Sequence, residues 1–86
     1  MPENEPIEST AEASLALTEC GLAHQYVDIM HPGLSWDVRL TIGADLTYDT
    51  LRRVADRFGT TDLRVRHVAE HAYSEWLEIR DPKVAP

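Results

Sequence analysis

LRVRHVAEHAYSEWLEIR, residues 63–80, decides the fold, because two periods fit it. As strands, Leu63, Val65 and His67 alternate with Arg64, Arg66 and Val68, and Glu75, Leu77 and Ile79 alternate with Trp76, Glu78 and Arg80. As a helix, Val65, Val68, Ala69, Ala72, Tyr73 and Trp76 fall at the spacing of one apolar helical face. No Gly or Pro interrupts residues 60–81, and a turn near residues 70–74 lacks Gly, Pro, Asn and Asp, which favours the helix. Composition favours strands. LRVRHV and EWLEIR are rich in β-branched and aromatic residues, and Arg64 and Arg66 would oppose the dipole at a helix N-terminus. We therefore expect a second β-hairpin over about 62–81. The alternative is a winged-helix-like fold with a second helix over about 62–79.

Upstream, residues 36–59 hold one clear strand and one clear helix. Trp36, Val38, Leu40 and Ile42 alternate with Asp37, Arg39 and Thr41, the pattern of a half-buried strand. Leu51, Val54, Ala55 and Phe58 recur with the helical period. Thr47 is placed to cap that helix, Asp49 suits its positive end, and Gly59 suits its exit, so it should run over about 48–58. HQYVDIM, residues 24–30, alternates weakly, and His31-Pro32-Gly33 reads as a turn, giving a first hairpin over about 24–42. Ser9 and Glu12 have capping-box spacing ahead of an alanine-rich stretch that Gly21 would end, a short N-terminal helix with a thin apolar face. The expected fold is α+β: a four-stranded antiparallel sheet covered by one main helix. The order α-β-β-α-β-β allows two equivalent halves, although no repeat is visible in the letters.

The chain of 86 residues is one small domain, with residues 1–8 an acidic tail, 9–82 the folded part and 83–86 a frayed end. An apolar fraction of 43% argues against global disorder. No apolar run reaches the ~18 residues of a membrane span, and the acidic N-terminus does not read as a secretory signal. Cys20, the single cysteine, has no intrachain partner and reads as a small buried hydrophobe. These features point to a cytoplasmic protein. The net charge of −7 is concentrated in residues 1–49, where Arg39 is the only base. That acidity opposes binding to nucleic acid or a membrane surface and favours solubility or a basic partner.

Three patterns bear on function. Ala55, Gly59, Val65 and Val68 resemble the spacing of a helix-turn-helix over residues 51–68, with Arg64, Arg66 and His67 as the reading side chains. The net charge opposes the phosphate contacts that dominate DNA affinity. His67, Glu70 and His71 match the His-x-x-Glu-His pattern of inverted zinc metalloproteases. That pattern needs a helix, and the chain leaves little room for a third ligand or a cleft. No metal, cofactor or catalytic residue is expected, and the protein should not be an enzyme. The third pattern is Arg52, Arg53, Arg57, Arg64 and Arg66, a set suited to a partner-binding face, since arginine is favoured at interfaces. Tyr48, Tyr73 and Trp76 are candidate aromatic anchors, although Trp36 and Trp76 also read as core. The functional expectation is a small acidic, non-catalytic protein of regulatory, immunity or inhibitor type that binds another macromolecule, most simply a protein. An exposed sheet edge also invites a homodimer. The other class considered is a helix-turn-helix-like DNA-binding regulator.

Overall fold

The computed structural model describes residues 7–30, 35–68 and 74–80. Its elements are α1 (Thr10–Glu19), β1 (His24–Met30), β2 (Ser35–Leu40), α2 (Tyr48–Phe58), β3 (Asp62–Val68) and β4 (Ser74–Arg80). The strands form one antiparallel sheet in the order β1-β2-β4-β3. The fold is the expected α+β arrangement. Residues 62–68 and 74–80 are strands, so the winged-helix-like alternative, with a helix over about 62–79, is overturned. The helix-turn-helix loses its second helix with it. The physical reason is pairing: β4 lies between β2 and β3 and satisfies backbone groups on both sides. A helix over the same residues would leave β2 an open edge. The expected turn at residues 31–33, residues 70–73 of the turn expected at 70–74, the tail residues 1–6 and the C-terminal residues 81–86 lie outside the described residues, and Ser74 begins β4. Within the expected tail, Ile7 is buried against the core.

Both helices begin and end by the same devices. The Ser9 hydroxyl accepts from the Glu12 N–H at 3.2 Å, and the Thr47 hydroxyl accepts from the Thr50 N–H at 3.2 Å. At the far ends, Gly21 and Gly59 take the left-handed conformation, with φ of 83° and 71°. The Leu22 N–H then donates back to the Leu17 carbonyl, and the Thr60 N–H to the Ala55 carbonyl. Each cap, each glycine and each returning bond in the second helix stands 38 residues after its counterpart in the first. The chain is thus two α-β-β halves, a repeat written in backbone geometry rather than in letters. The halves meet where β2 pairs with β4, and Val38 stands opposite Leu77. Val38 pairs with Val27 and Leu77 with Val65 within their own hairpins, so by register, at a spacing one residue longer than that of the helices, the two hold equivalent places and a pseudo-twofold axis passes between them.

The core lies between the helices and one face of the sheet. Trp36, Val38, Leu40, Leu77 and Ile79 project into it from the central strands, and Ala13, Ala16, Leu17, Leu22 and Val54 close it from the other side. Small residues on α1 let that helix lie close to the sheet, which is how a thin apolar face still packs. Trp36 meets Phe58 edge-to-face, with ring centroids 6.5 Å apart. Thr60, buried at the exit of α2, donates to the Arg80 carbonyl at 2.6 Å and accepts from the Asp62 N–H at 3.1 Å. It fastens the end of α2 to β3 and β4. A Cβ at Gly59 would meet no atom within 4 Å. Gly59→Ala should therefore cost only the left-handed backbone penalty, about 1–2 kcal/mol, with the m-value of urea unfolding unchanged.

Candidate functional site

The alternation that turns Trp36, Val38, Leu77 and Ile79 toward the helices turns Asp37, Arg39, Trp76 and Glu78 the other way. On that side no helix covers the sheet among the described residues. Register places Tyr26, Arg39, Trp76 and Arg66 in one row across four strands. Asp28, Asp37, Glu78 and Arg64 form the next row. Rings and guanidinium groups alternate in the first row. Tyr26 and Trp76 flank β2 and still meet edge-to-face, with centroids 6.4 Å apart and planes at 80°. Tyr26 is 50% exposed, which is high for a sheet aromatic with a ring partner.

The second row opposes like charges: Asp28 faces Asp37, and Asp37 faces Glu78. Arg66 offsets this by reaching both neighbours. Its Nη2 donates to Asp37 Oδ1 at 3.1 Å, and its Nε contacts Glu78 Oε1. Arg64 pairs with Asp62 at 3.1 Å, and Arg80 approaches the other oxygen of Asp62 at 4.0 Å. Among the described residues of this face, Arg39, Arg64, Arg66 and Arg80 match Asp28, Asp37, Asp62 and Glu78 one for one. These described residues are balanced in a chain of net charge −7, and Glu8, Glu12 and Glu19 stand in and beside α1, away from them. The Asp28 carboxylate beside Tyr26 holds its phenol above the ordinary range, and Asp37 adds to the effect. Arg66→Ala leaves the opposed acids without their shared cation. It should destabilise the domain by about 1 kcal/mol at low ionic strength, since the groups are partly exposed, and by less in 1 M NaCl, as salt screens the repulsion. Urea unfolding at the two salt concentrations measures the difference.

The five arginines expected at a partner-binding face do not share one surface. Arg52 and Arg53 are exposed on α2 and Arg57 is half-buried there, on the helix side. Arg64 and Arg66 stand on the open face. The helix arginines have a local role near Cys20. Burial pushes the Cys20 thiol up, while the positive charges of Arg57 and Arg53 pull the other way. Of the expected aromatic anchors, Tyr48 is exposed at the start of α2, Trp76 is half-buried on the open face, and Tyr73 lies outside the described residues. Trp36 is core, as expected, and Trp76 is not. His67 belongs to β3, so the zinc-protease pattern has no helix at its first histidine, and Glu70 and His71 lie outside the described residues. Tyr26 and Arg39 carried no functional expectation. Their signal was present in the alternation of residues 24–30 and 36–42, but the order of the strands was needed to set them beside Trp76.

Comparison with protein-family models, with curated proteins and with solved structures found no match. No described helix is long and apolar enough to cross a membrane.

Proposed function

We propose that the protein works in the cytoplasm by binding another protein, and that the working surface is the open face of the sheet. The observation that carries this reading is the half-exposed Tyr26–Trp76 pair set in a row with Arg39 and Arg66. Tyr, Trp and Arg are the residues that most often anchor protein interfaces, the rings by their large rigid surface with a polar edge and arginine by its planar guanidinium fork. The described residues of the face carry no surplus positive charge, which favours a protein over nucleic acid. Binding there needs no chemistry, in keeping with a regulatory, immunity-type or inhibitor-type protein that acts by covering a partner's surface. A homodimer is a second reading. It is supported by β3, an edge strand on which Val65 is 48% exposed on the helix side of the sheet.

Affinity capture from the native host followed by mass spectrometry tests the proposal. A stoichiometric partner should be retained by Arg52→Glu and Arg53→Glu and lost with Trp76→Ala and Arg39→Glu, each variant first shown to be folded. Retention by the sheet variants with loss by the helix variants would move the site to α2. Light scattering tests the dimer: a mass of two chains that falls to one in Val65→Lys supports it, and a single-chain mass at high concentration ends it.

A further inference from the structure

We propose that Ser14 and His24 form a nucleophile–base pair able to take an acyl group from a small, activated carboxylic ester. The pair lies at the β1 edge of the sheet, on the side of α1, and its chemistry does not depend on the proposed binding role of the open face. Its geometry starts from a β-bulge. His24 pairs with Leu40 and Tyr26 with Arg39, so Gln25 is an extra residue in β1. Without it, His24 would share the open face with Tyr26 and Asp28. The bulge places His24 across from the core residue Leu40 and turns its ring toward α1.

The hydrogen bonds then fix the proton positions. His24 Nδ1 lies 3.0 Å from the Leu22 carbonyl oxygen, which can only accept, so Nδ1 carries the hydrogen. In the neutral ring Nε2 therefore presents its lone pair. Ser14 Oγ is 2.8 Å from Nε2, so the hydroxyl donates to it. Serine, base and orienting acceptor thus stand in the order that activates a hydroxyl nucleophile. The pair opens on a hollow of about 370 Å³ lined by Thr10, Ala11, Ser14, His24, Gln25, Tyr26 and Val27.

In the reaction, Ser14 Oγ attacks the ester carbonyl as its proton passes to His24 Nε2. The bond from carbonyl carbon to leaving oxygen breaks, and that oxygen takes the proton from Nε2. Water then repeats the sequence on the acyl-serine, releasing the acid and restoring Ser14. The orienting group is a neutral carbonyl, which supports an imidazolium less than a carboxylate does. The pair is therefore suited to esters with good leaving groups, and its acyl-serine should accumulate.

The experiment uses the full chain and p-nitrophenyl acetate. We expect a burst of about one equivalent of nitrophenolate per chain and, by peptide mapping, one acetyl group on Ser14. Ser14→Ala should abolish the burst, and His24→Gln should slow acetylation of Ser14 by about 10²-fold, the usual contribution of a positioned general base. Acetyl found on Lys83 or the terminal amine and not on Ser14 would overturn the proposal. So would unchanged labelling of Ser14 in a folded His24→Gln variant. If either variant fails to fold, the map of the wild-type adduct still decides.

Discussion

Trp36→Ala should remove about 3–5 kcal/mol of stability, the usual cost of truncating a large buried aromatic. Trp36 is 2% exposed, and its ring is held between the central strands and Phe58 on α2. A domain of this size has roughly 5–10 kcal/mol to lose, so the variant should be at or near the point of unfolding at 37 °C. Two effects add. Apolar surface is no longer withdrawn from water, and the helix on one side and the sheet on the other cannot both move in to fill the space. Trp76→Ala is the internal control. It removes the same side chain from the opposite, half-exposed face and should cost about 1–2 kcal/mol. Urea unfolding followed by far-ultraviolet circular dichroism measures both. Equal losses for the two tryptophans would mean that the open face is not open.

Leu77→Ala is the second large effect, about 2–5 kcal/mol. Leu77 is 0% exposed and lies in a row that runs Val27, Val38, Leu77, Val65 across the four strands. Val65 stands beside it on the edge, 48% exposed, and Val65→Ala should cost less than about 1 kcal/mol. One row therefore contains both a core position and a surface position. β4 is central and β3 is an edge, but edge position is not the whole cause, since Val27 on the other edge strand is partly buried against the core. A Val65→Ala loss as large as that of Leu77→Ala would show that β3 is covered in solution, which is the outcome expected of the homodimer.

Much of this architecture is legible in the residues. The alternation of Trp36, Val38 and Leu40 and the helical spacing of Leu51, Val54 and Phe58 each have one physical reading. Thr47 and Gly59 mark the ends of α2 because a hydroxyl cap and a left-handed exit each call for a particular residue type. Residues 63–80 were ambiguous because apolar residues there satisfy two periods at once, and only strand composition separates them. Long-range pairing was not legible. Tyr26 and Trp76 are far apart in sequence, and nothing local says that β2 will pair with β4 and bring their rings together. The arginines were read as one set because the chain lists them within fifteen residues, whereas Gly59 and Thr60 carry it from one side of the sheet to the other. His24 shows the same limit at a smaller scale. Its alternation with Tyr26 would place it on the open face, and one bulged residue reverses that.

The pairing of Val38 with Leu77 also bears on how the chain folds. Within each half, helix, turn and hairpin join residues close in sequence, so their loops close at low entropic cost. The β2–β4 seam joins residues 36–39 to residues 76–79, and it is the long-range step in forming the sheet. Mutations at the seam should therefore slow folding, whereas mutations at the two glycine exits should mainly speed unfolding. On that view the halves form early, and closing the seam is what sets the two aromatic rings of the open face side by side.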